Sequence, residues 1–168
     1  MPPHPLRIHR DLRGKDFSGV NLAGTVFEGA DLYRASFDGA ILTGATFLNC
    51  FAAEASFKQA NCAHLRAIKT NFYRAAFNGT DLSDALLWSC VLAGANLRGA
   101  TLRRLTLTLD CNSFEELHLD RSASAELAYL FGRARSPHRQ GWLDILGERD
   151  LAQLAHVFER QRPPFMQE

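Results

Sequence analysis

Large apolar residues recur at every fifth position along the first two-thirds of the chain. From Leu12 to Leu107, seventeen of these twenty central positions hold Leu or Phe, and no insertion breaks the register. Two residues before each centre from 20 to 100, sixteen of seventeen positions hold Ala, Thr, Val or Cys. A five-residue segment is too short to bury such an apolar pair alone. The pattern therefore predicts a solenoid, in which stacked coils bury the pairs together.

Three small residues interrupt the centres, namely Ala52, Cys62 and Ala67. Leu65 replaces the usual small residue two positions before Ala67. Such an exchange of large and small residues conserves core volume, as close packing requires. We expect Leu65 and Phe51 to fill part of the space that the small centres leave.

Glycine occurs in this region only two residues after a centre. The positions are Gly14, Gly19, Gly24, Gly29, Gly39, Gly44, Gly79, Gly94 and Gly99. Because glycine tolerates positive φ, this spacing predicts a tight corner at the same point of every repeat.

The alternation of Phe and Leu indicates how many five-residue edges form one coil. Phe alternates with Leu from Phe17 to Phe47, which favours an even number of edges. A step of twenty residues aligns a single column of Phe17, Phe37, Phe57 and Phe77. We therefore predict four edges per coil and about five coils. At the usual spacing between strands, the rod is roughly 24 Å long.

The repeat resembles the pentapeptide-repeat family, whose consensus is A-(D/N)-L-x-x. Ala30–Leu32 and Ala95–Leu97 match that consensus, and many other positions come close. The resemblance implies a right-handed quadrilateral parallel β-helix, an all-β solenoid. We assign residues 1–10 to an N-terminal segment and residues 11–110 to the β-helix. Residues 111–168 are assigned to an α-helical C-terminal cap or assembly element.

Helical signals replace the repeat after Leu107. Ser113 and Glu116 have the spacing of a capping box, and apolar residues at helical spacing follow. We predict two or three short amphipathic helices over about 115–161. The open end of a solenoid exposes unpaired strand edges, so a cap is the favoured role and dimerisation the alternative. The apolar residues expected to serve either role are Leu127, Phe131, Trp142, Leu151, Leu154 and Phe158.

Composition and motifs favour binding over catalysis. The net charge is +1, and no apolar run is long enough to cross a bilayer. The first ten residues lack the features of a signal peptide, so we expect a cytoplasmic protein. The four cysteines and six histidines show no metal-ligand or catalytic spacing. We therefore predict no enzyme activity, no cofactor, no metal, and no direct contact with nucleic acid or membrane.

Two neighbouring edges of the predicted rod carry apolar and aromatic residues on their outer side. This apolar strip consists of Val26, Leu48, Ile68, Leu86 and Trp88 on one edge, and Tyr33, Phe51, Tyr73 and Val91 on the next. Arg34 and Arg74 stand at its corners. Apolar and aromatic residues beside arginine are typical of a binding interface. Either the C-terminal helices of the same chain or another protein is expected to cover the strip.

Two functions remain open at this level. The first is a scaffold that binds an unidentified protein, or a second copy of itself, through the apolar strip. The second follows from the resemblance, since some pentapeptide-repeat proteins mimic duplex DNA, bind DNA gyrase and confer quinolone or toxin resistance. Such mimicry needs an acidic surface that imitates phosphates. Residues 11–110 hold nine acids and ten Lys or Arg without an acidic stripe, so the scaffold is favoured.

Overall fold

A single parallel sheet runs along one side of the molecule. The computed structural model describes residues 7–107, 117–124 and 126–127. Its strands are β1 (Arg7–Ile8), β2 (Val26–Glu28), β3 (Thr46–Leu48), β4 (Arg66–Ile68), β5 (Leu86–Trp88) and β6 (Thr106–Leu107). They pair in sequence order, and from β2 onward each strand pairs with residues twenty further along the chain. One coil therefore takes twenty residues, as the Phe column predicts.

The other three edges of each coil turn rather than extend. Single parallel bridges join them to the next coil, again at a step of twenty, as in Asp31 to Phe51 and Ser36 to Ser56. Each such edge closes with a turn in which an N–H donates to the carbonyl three residues before it. The bond from Ala35 N to Leu32 O, at 2.9 Å, is an example. The rod thus has one regular strand face, here called the sheet face, and three faces built from turns.

The backbone takes positive φ at the corner of each repeat, whether or not glycine is present. Gly39 has φ of 65°, while His64 and Lys69 have φ of 58° and 51°. Ten non-glycine residues share this conformation. The left-handed region costs an L-residue roughly 1–2 kcal/mol, so the stacking of the coils imposes the corner against local preference. The prediction of a corner in every repeat is confirmed.

Stacked phenylalanine rings fill the centre of the rod. The rings of Phe17, Phe37, Phe57 and Phe77 follow one another at centroid distances of 5.0, 4.9 and 4.9 Å. Their planes lie within 16° of parallel, as offset stacking of aromatic rings allows. The inner small residues, including Ala35, Ala40 and Ala55, are fully buried beside the rings. The predicted column is therefore confirmed as the core.

The three small centres are filled from within the core. Leu65 is only 2% exposed, which confirms the exchange with Ala67. Phe72 contributes a second ring, with its centroid 6.3 Å from that of Phe47 and 5.7 Å from that of Phe57. The expectation for Phe51 is wrong, because that side chain is 45% exposed. Its position directly before a centre directs it outward, so it leaves the core volume unchanged.

Buried cysteine and threonine side chains satisfy carbonyl groups beneath the sheet face. Cys50 Sγ donates to the carbonyl of Phe27 at 3.3 Å, and Thr70 Oγ1 donates to that of Phe47 at the same distance. Cys90 Sγ makes the equivalent bond to Ala67 at 3.5 Å. On the turn faces, the carbonyl of each central residue accepts instead from the backbone N–H three residues later. These cysteines therefore act as donors as well as packing groups. Burial also raises the pKa of the Cys62 thiol, which keeps it protonated.

Truncation of Phe37 tests the stacked core. We expect Phe37→Ala to lower the free energy of unfolding by about 3–5 kcal/mol, because it removes a ring that is stacked on both sides. Urea titration followed by circular dichroism measures the change. The control is Lys58→Ala, which removes an exposed side chain and should change stability by less than about 0.5 kcal/mol. Equal effects of the two substitutions would show that the inward register is wrong.

A pair of corner substitutions tests the backbone requirement. A Cβ added at Gly39 would meet nothing within 4 Å, so Gly39→Ala changes conformational preference without a clash. We expect it to destabilise the fold by about 1 kcal/mol. His64→Gly removes the cost of holding a non-glycine residue at positive φ and should stabilise the fold by a similar amount. The two changes in urea midpoint should have opposite signs, and a shared sign would contradict this account.

Candidate protein-binding surface

A ridge of three apolar side chains runs along the sheet face. The pairing of β3, β4 and β5 places Leu48, Ile68 and Trp88 in one column, about 4.8 Å apart. Leu48 and Ile68 are half-buried, whereas Trp88 is 50% exposed. The parallel column on the other side of the strand centres contains Val26 and Leu86, which are also half-buried.

The adjoining turn face carries the second half of the apolar strip. The rings of Tyr33 and Phe51 lie 6.1 Å apart, and Tyr73 is 37% exposed. Asn71 separates Phe51 from the half-buried Val91 in the same column of bridges. The Asn71 side chain accepts a hydrogen bond from the N–H of Tyr73 at 2.8 Å and so supports the local turn. The apolar surface is therefore continuous along the column of Leu48, Ile68 and Trp88 on the sheet face and interrupted on this neighbour.

Arginine side chains hold the two tyrosine rings. The guanidinium groups of Arg34 and Arg74 lie 4.9 and 5.0 Å from the centroids of Tyr33 and Tyr73. Arg34 also pairs with Glu54 at 2.7 Å, and this hydrogen bond lowers the pKa of the Glu54 carboxyl. All these corner groups face solvent, so their effect is to fix ring orientation rather than to add much stability.

Positive charge concentrates on the coil that contains β4. Residues 61–80 include Arg66, Lys69 and Arg74 but no Asp or Glu. All three cations are exposed. Arg66 and Lys69 flank Ile68 at the centre of the ridge, so the apolar side chains here have a cationic border.

Residues 117–124 and 126–127 close the end of the rod next to β6. His118 pairs with Asn96, accepts a bond from Leu97 N and donates to Ala95 O, both at 2.8 Å. Asp120 accepts from Gly99 N, and Glu126 accepts from Leu102 N at 2.6 Å. Ala123 and Leu127 are buried in the core. These contacts satisfy N–H groups that a missing next coil would otherwise leave open.

Helix begins later than the sequence indicates. Residues 117–120 are extended against the last coil, and helical residues occur at 121–124 and 126–127. The expectation of helix is therefore wrong for residues 117–120, because the open strand edge recruits this segment. Asp120 forms the N-cap by accepting from Ala123 N at 2.8 Å. This cap was missed, although an Asp directly before the helical stretch is a recognisable signal.

The predicted cap residues are only partly accounted for. Leu127 is buried at the end of the rod. The remaining five, Phe131, Trp142, Leu151, Leu154 and Phe158, lie outside the described residues. With the described part of the cap in place, Phe51, Tyr73 and Trp88 remain exposed. The hydrogen bonds of that part to the rod are made with residues 95–102 at its end.

Other chemistry is not evident in the part of the chain that the structure describes. Within it, no three His, Cys, Asp or Glu side chains gather as a metal site would require. Cys50, Cys62 and Cys90 are buried. No helix among the described residues is long and apolar enough to cross a membrane.

The fold defines a β-solenoid protein whose exterior is displayed as regular columns of side chains. A family model for pentapeptide repeats matches eight copies, over residues 11–49, 55–87 and 80–108. The chain belongs to the pentapeptide-repeat family. Among curated proteins, no sequence matches it.

Several solved structures resemble this chain with TM-scores below 0.4. A pentapeptide repeat protein from the Arabidopsis thaliana thylakoid lumen is 27% identical, with 57% of this chain and 70% of that chain covered and a TM-score of 0.36. A pentapeptide repeat protein from the cyanobacterium Cyanothece 51142 is 18% identical, with 69% and 82% covered and a TM-score of 0.33. Full-length QnrB1, a plasmid-mediated fluoroquinolone resistance protein, is 19% identical, with 68% and 84% covered and a TM-score of 0.35.

The carboxyl group of Glu126 supplies a pH test of the cap. Burial raises its pKa, although Leu102 N–H partly opposes the shift. The raised pKa means that this group favours folding when protonated, at low pH, and that the benefit is lost as pH rises through the folded pKa. Glu126→Gln keeps an acceptor for Leu102 without the charge. We expect the variant to be more stable than the parent at pH 7.

Thermal unfolding from pH 3.5 to pH 7.5 measures this difference. The gain should shrink as the pH falls, because the parent carboxyl then becomes neutral as well. Asp16→Asn is a control at the opposite end of the rod, where hydrogen bonds from Ser18 lower the pKa of the carboxyl. Asp16→Asn should instead lower stability at pH 7, and this loss should shrink as the pH falls. A gain for Glu126→Gln that is constant with pH would contradict the burial of this carboxyl.

Proposed function

We propose that this protein is a non-enzymatic scaffold that binds another protein through the apolar strip. The observation that carries the proposal is the ridge of Leu48, Ile68 and Trp88. These side chains lie in register on a flat sheet and remain partly or largely exposed when the described residues are in place.

Exposure of a continuous ridge has an energetic consequence. Each Å² of apolar area left in water forgoes about 25 cal/mol, and patches of this kind are typical of interaction sites. Trp88 and the paired tyrosines are residue types that contribute strongly to binding energy. The arginines stacked on Tyr33 and Tyr73 hold those rings in place before binding, which lowers the entropy lost on association.

Membership of the family is consistent with binding, since pentapeptide-repeat proteins are generally structural or binding proteins. The alternative of DNA mimicry and gyrase binding has less support. It requires a row of acidic groups, whereas the coil of residues 61–80 carries cations and no acid. The likeness to QnrB1 has a TM-score of 0.35 and adds no argument for that alternative.

A double substitution on the ridge tests the proposed function. Ile68→Glu together with Trp88→Glu places two charges in the centre of the strip. Tagged parent protein is used to capture partners from an extract of the native host. The variant should fold normally and lose a protein that the parent retains. The matched control, Thr43→Glu with Ala63→Glu, adds the same charges in consecutive coils of another face and should keep that protein.

The outcomes separate three arrangements. Loss of a specific protein by the ridge variant alone supports a scaffold. Lower stability of the monomer, with unchanged assembly, means that the chain's own tail covers the strip. If neither stability nor association changes, the strip is ordinary exposed surface and the proposed function fails.

A further inference from the structure

Charged groups on the sheet face are arranged unevenly along the rod. Glu28 ends β2, and its carboxylate is one-third exposed in an ion pair with Arg7 at 3.2 Å. Two strands further on, Arg66 and Lys69 flank Ile68 and are exposed. Between them, β3 contributes the neutral residues Thr46, Phe47 and Leu48. Among the described residues, the face thus carries one carboxylate, paired with Arg7, on the β2 side, uncharged residues at β3, and two cations on the β4 side.

This order of charges is complementary to the same face of a second copy that is turned end to end. A two-fold axis along β3 would turn a second copy so that its β2 faces β4 of the first. Val26 of one copy then faces Arg66 of the other, and Glu28 faces Ile68. This follows because the strand pairing places the two members of each pair in one column. Glu28 of one copy would lie between Arg66 and Lys69 of the other. Gly29, which shares its corner column with Lys69, has no side chain to obstruct the lysine.

Two alternative two-fold arrangements of the same face oppose like charges. With the rods parallel, each coil meets the same coil of the second copy with its strand reversed, so Arg66 of one copy approaches Lys69 of the other. With the axis along β4, Arg66 and Lys69 each face their own copies. Juxtaposed like charges are costly when desolvated, so electrostatics favours β3 over these two alternatives as the axis.

We propose that the partner of the sheet face is a second copy of this chain, packed antiparallel with β3 along the two-fold axis. The inference rests on the proposed function, because it names the partner of the same surface. Leu48 packs against Leu48 of the second copy at the axis. Trp88 lies over β1 of the second copy, where the Arg7 guanidinium offers a cationic partner for its ring. Such an isologous contact is closed and forms dimers rather than fibres.

The size of the contact predicts its strength. A face roughly 24 Å long and about 15 Å wide offers on the order of 360 Å² per copy. Stable complexes usually bury about 800 Å² per partner, so the dimer belongs to the weak and reversible class. We expect a dissociation constant in the micromolar range or above, with a strong dependence on ionic strength.

Reciprocal charge reversal tests the arrangement on the full chain. Sedimentation equilibrium is measured over a concentration series at low salt and at about 0.5 M salt. The parent should dimerise, and more weakly at high salt. Lys69→Glu and Glu28→Lys should each weaken the dimer about tenfold or more. Each reversal places like charges opposite one another, and the two-fold axis repeats that contact at a second place. An equimolar mixture of the two variants should recover the affinity of the parent. Lys58→Glu makes the same charge change on the opposite face and should leave the dimer unaffected.

Several results would overturn the inference. A monomer at all concentrations excludes the second copy as partner. If neither charge reversal changes the affinity of the dimer, the antiparallel arrangement about β3 is excluded. It is also excluded if the mixture of the two variants does not recover the affinity of the parent. Circular dichroism of each variant shows whether a loss of dimer reflects unfolding. Recovery of affinity in the mixture shows by itself that both variants are folded. If the chain is monomeric but the ridge variant still loses a captured protein, this inference fails while the proposed function stands.

Discussion

Parallel stacking of the backbone at a step of twenty residues is the constraint on which the rest of this structure depends. Each coil donates to and accepts from its neighbours, so all coils must have the same length and turn at the same points. The ten non-glycine corners at positive φ show how strongly this requirement acts. Residues such as Lys69 adopt a conformation they do not prefer, because any other would break the ladder on both sides.

The same step produces both the core and the surface. Inside the rod, it aligns Phe37 with Phe57 at 4.9 Å, and the small residues beside them leave room for the rings. Outside, it aligns Leu48, Ile68 and Trp88 into a ridge. The described residues therefore display their outer side chains as columns along the faces of the rod.

The two ends and the faces of the rod differ in how their polar groups are satisfied. At the C-terminal end, Asp120 and Glu126 accept from backbone N–H groups of the last coil, and Leu127 covers the core. Beneath the sheet face, Cys50 and Thr70 donate to carbonyl groups of the coil before. Polar side chains therefore appear wherever the repeating backbone pattern changes. The apolar strip differs from these places because it lacks cover among the described residues.

The period, the inward register and the corner positions could all be predicted from the amino-acid sequence. Each of these depends on residue type repeated at fixed spacing, as with Phe17, Phe37 and Phe57. Only the folded structure shows which of the four edges becomes a regular sheet. It also showed that His118 extends the ladder before the helix begins and that Asn71 interrupts the strip. The reason is physical: those outcomes depend on hydrogen bonds between residues twenty or more positions apart, and single-residue preference does not encode such bonds.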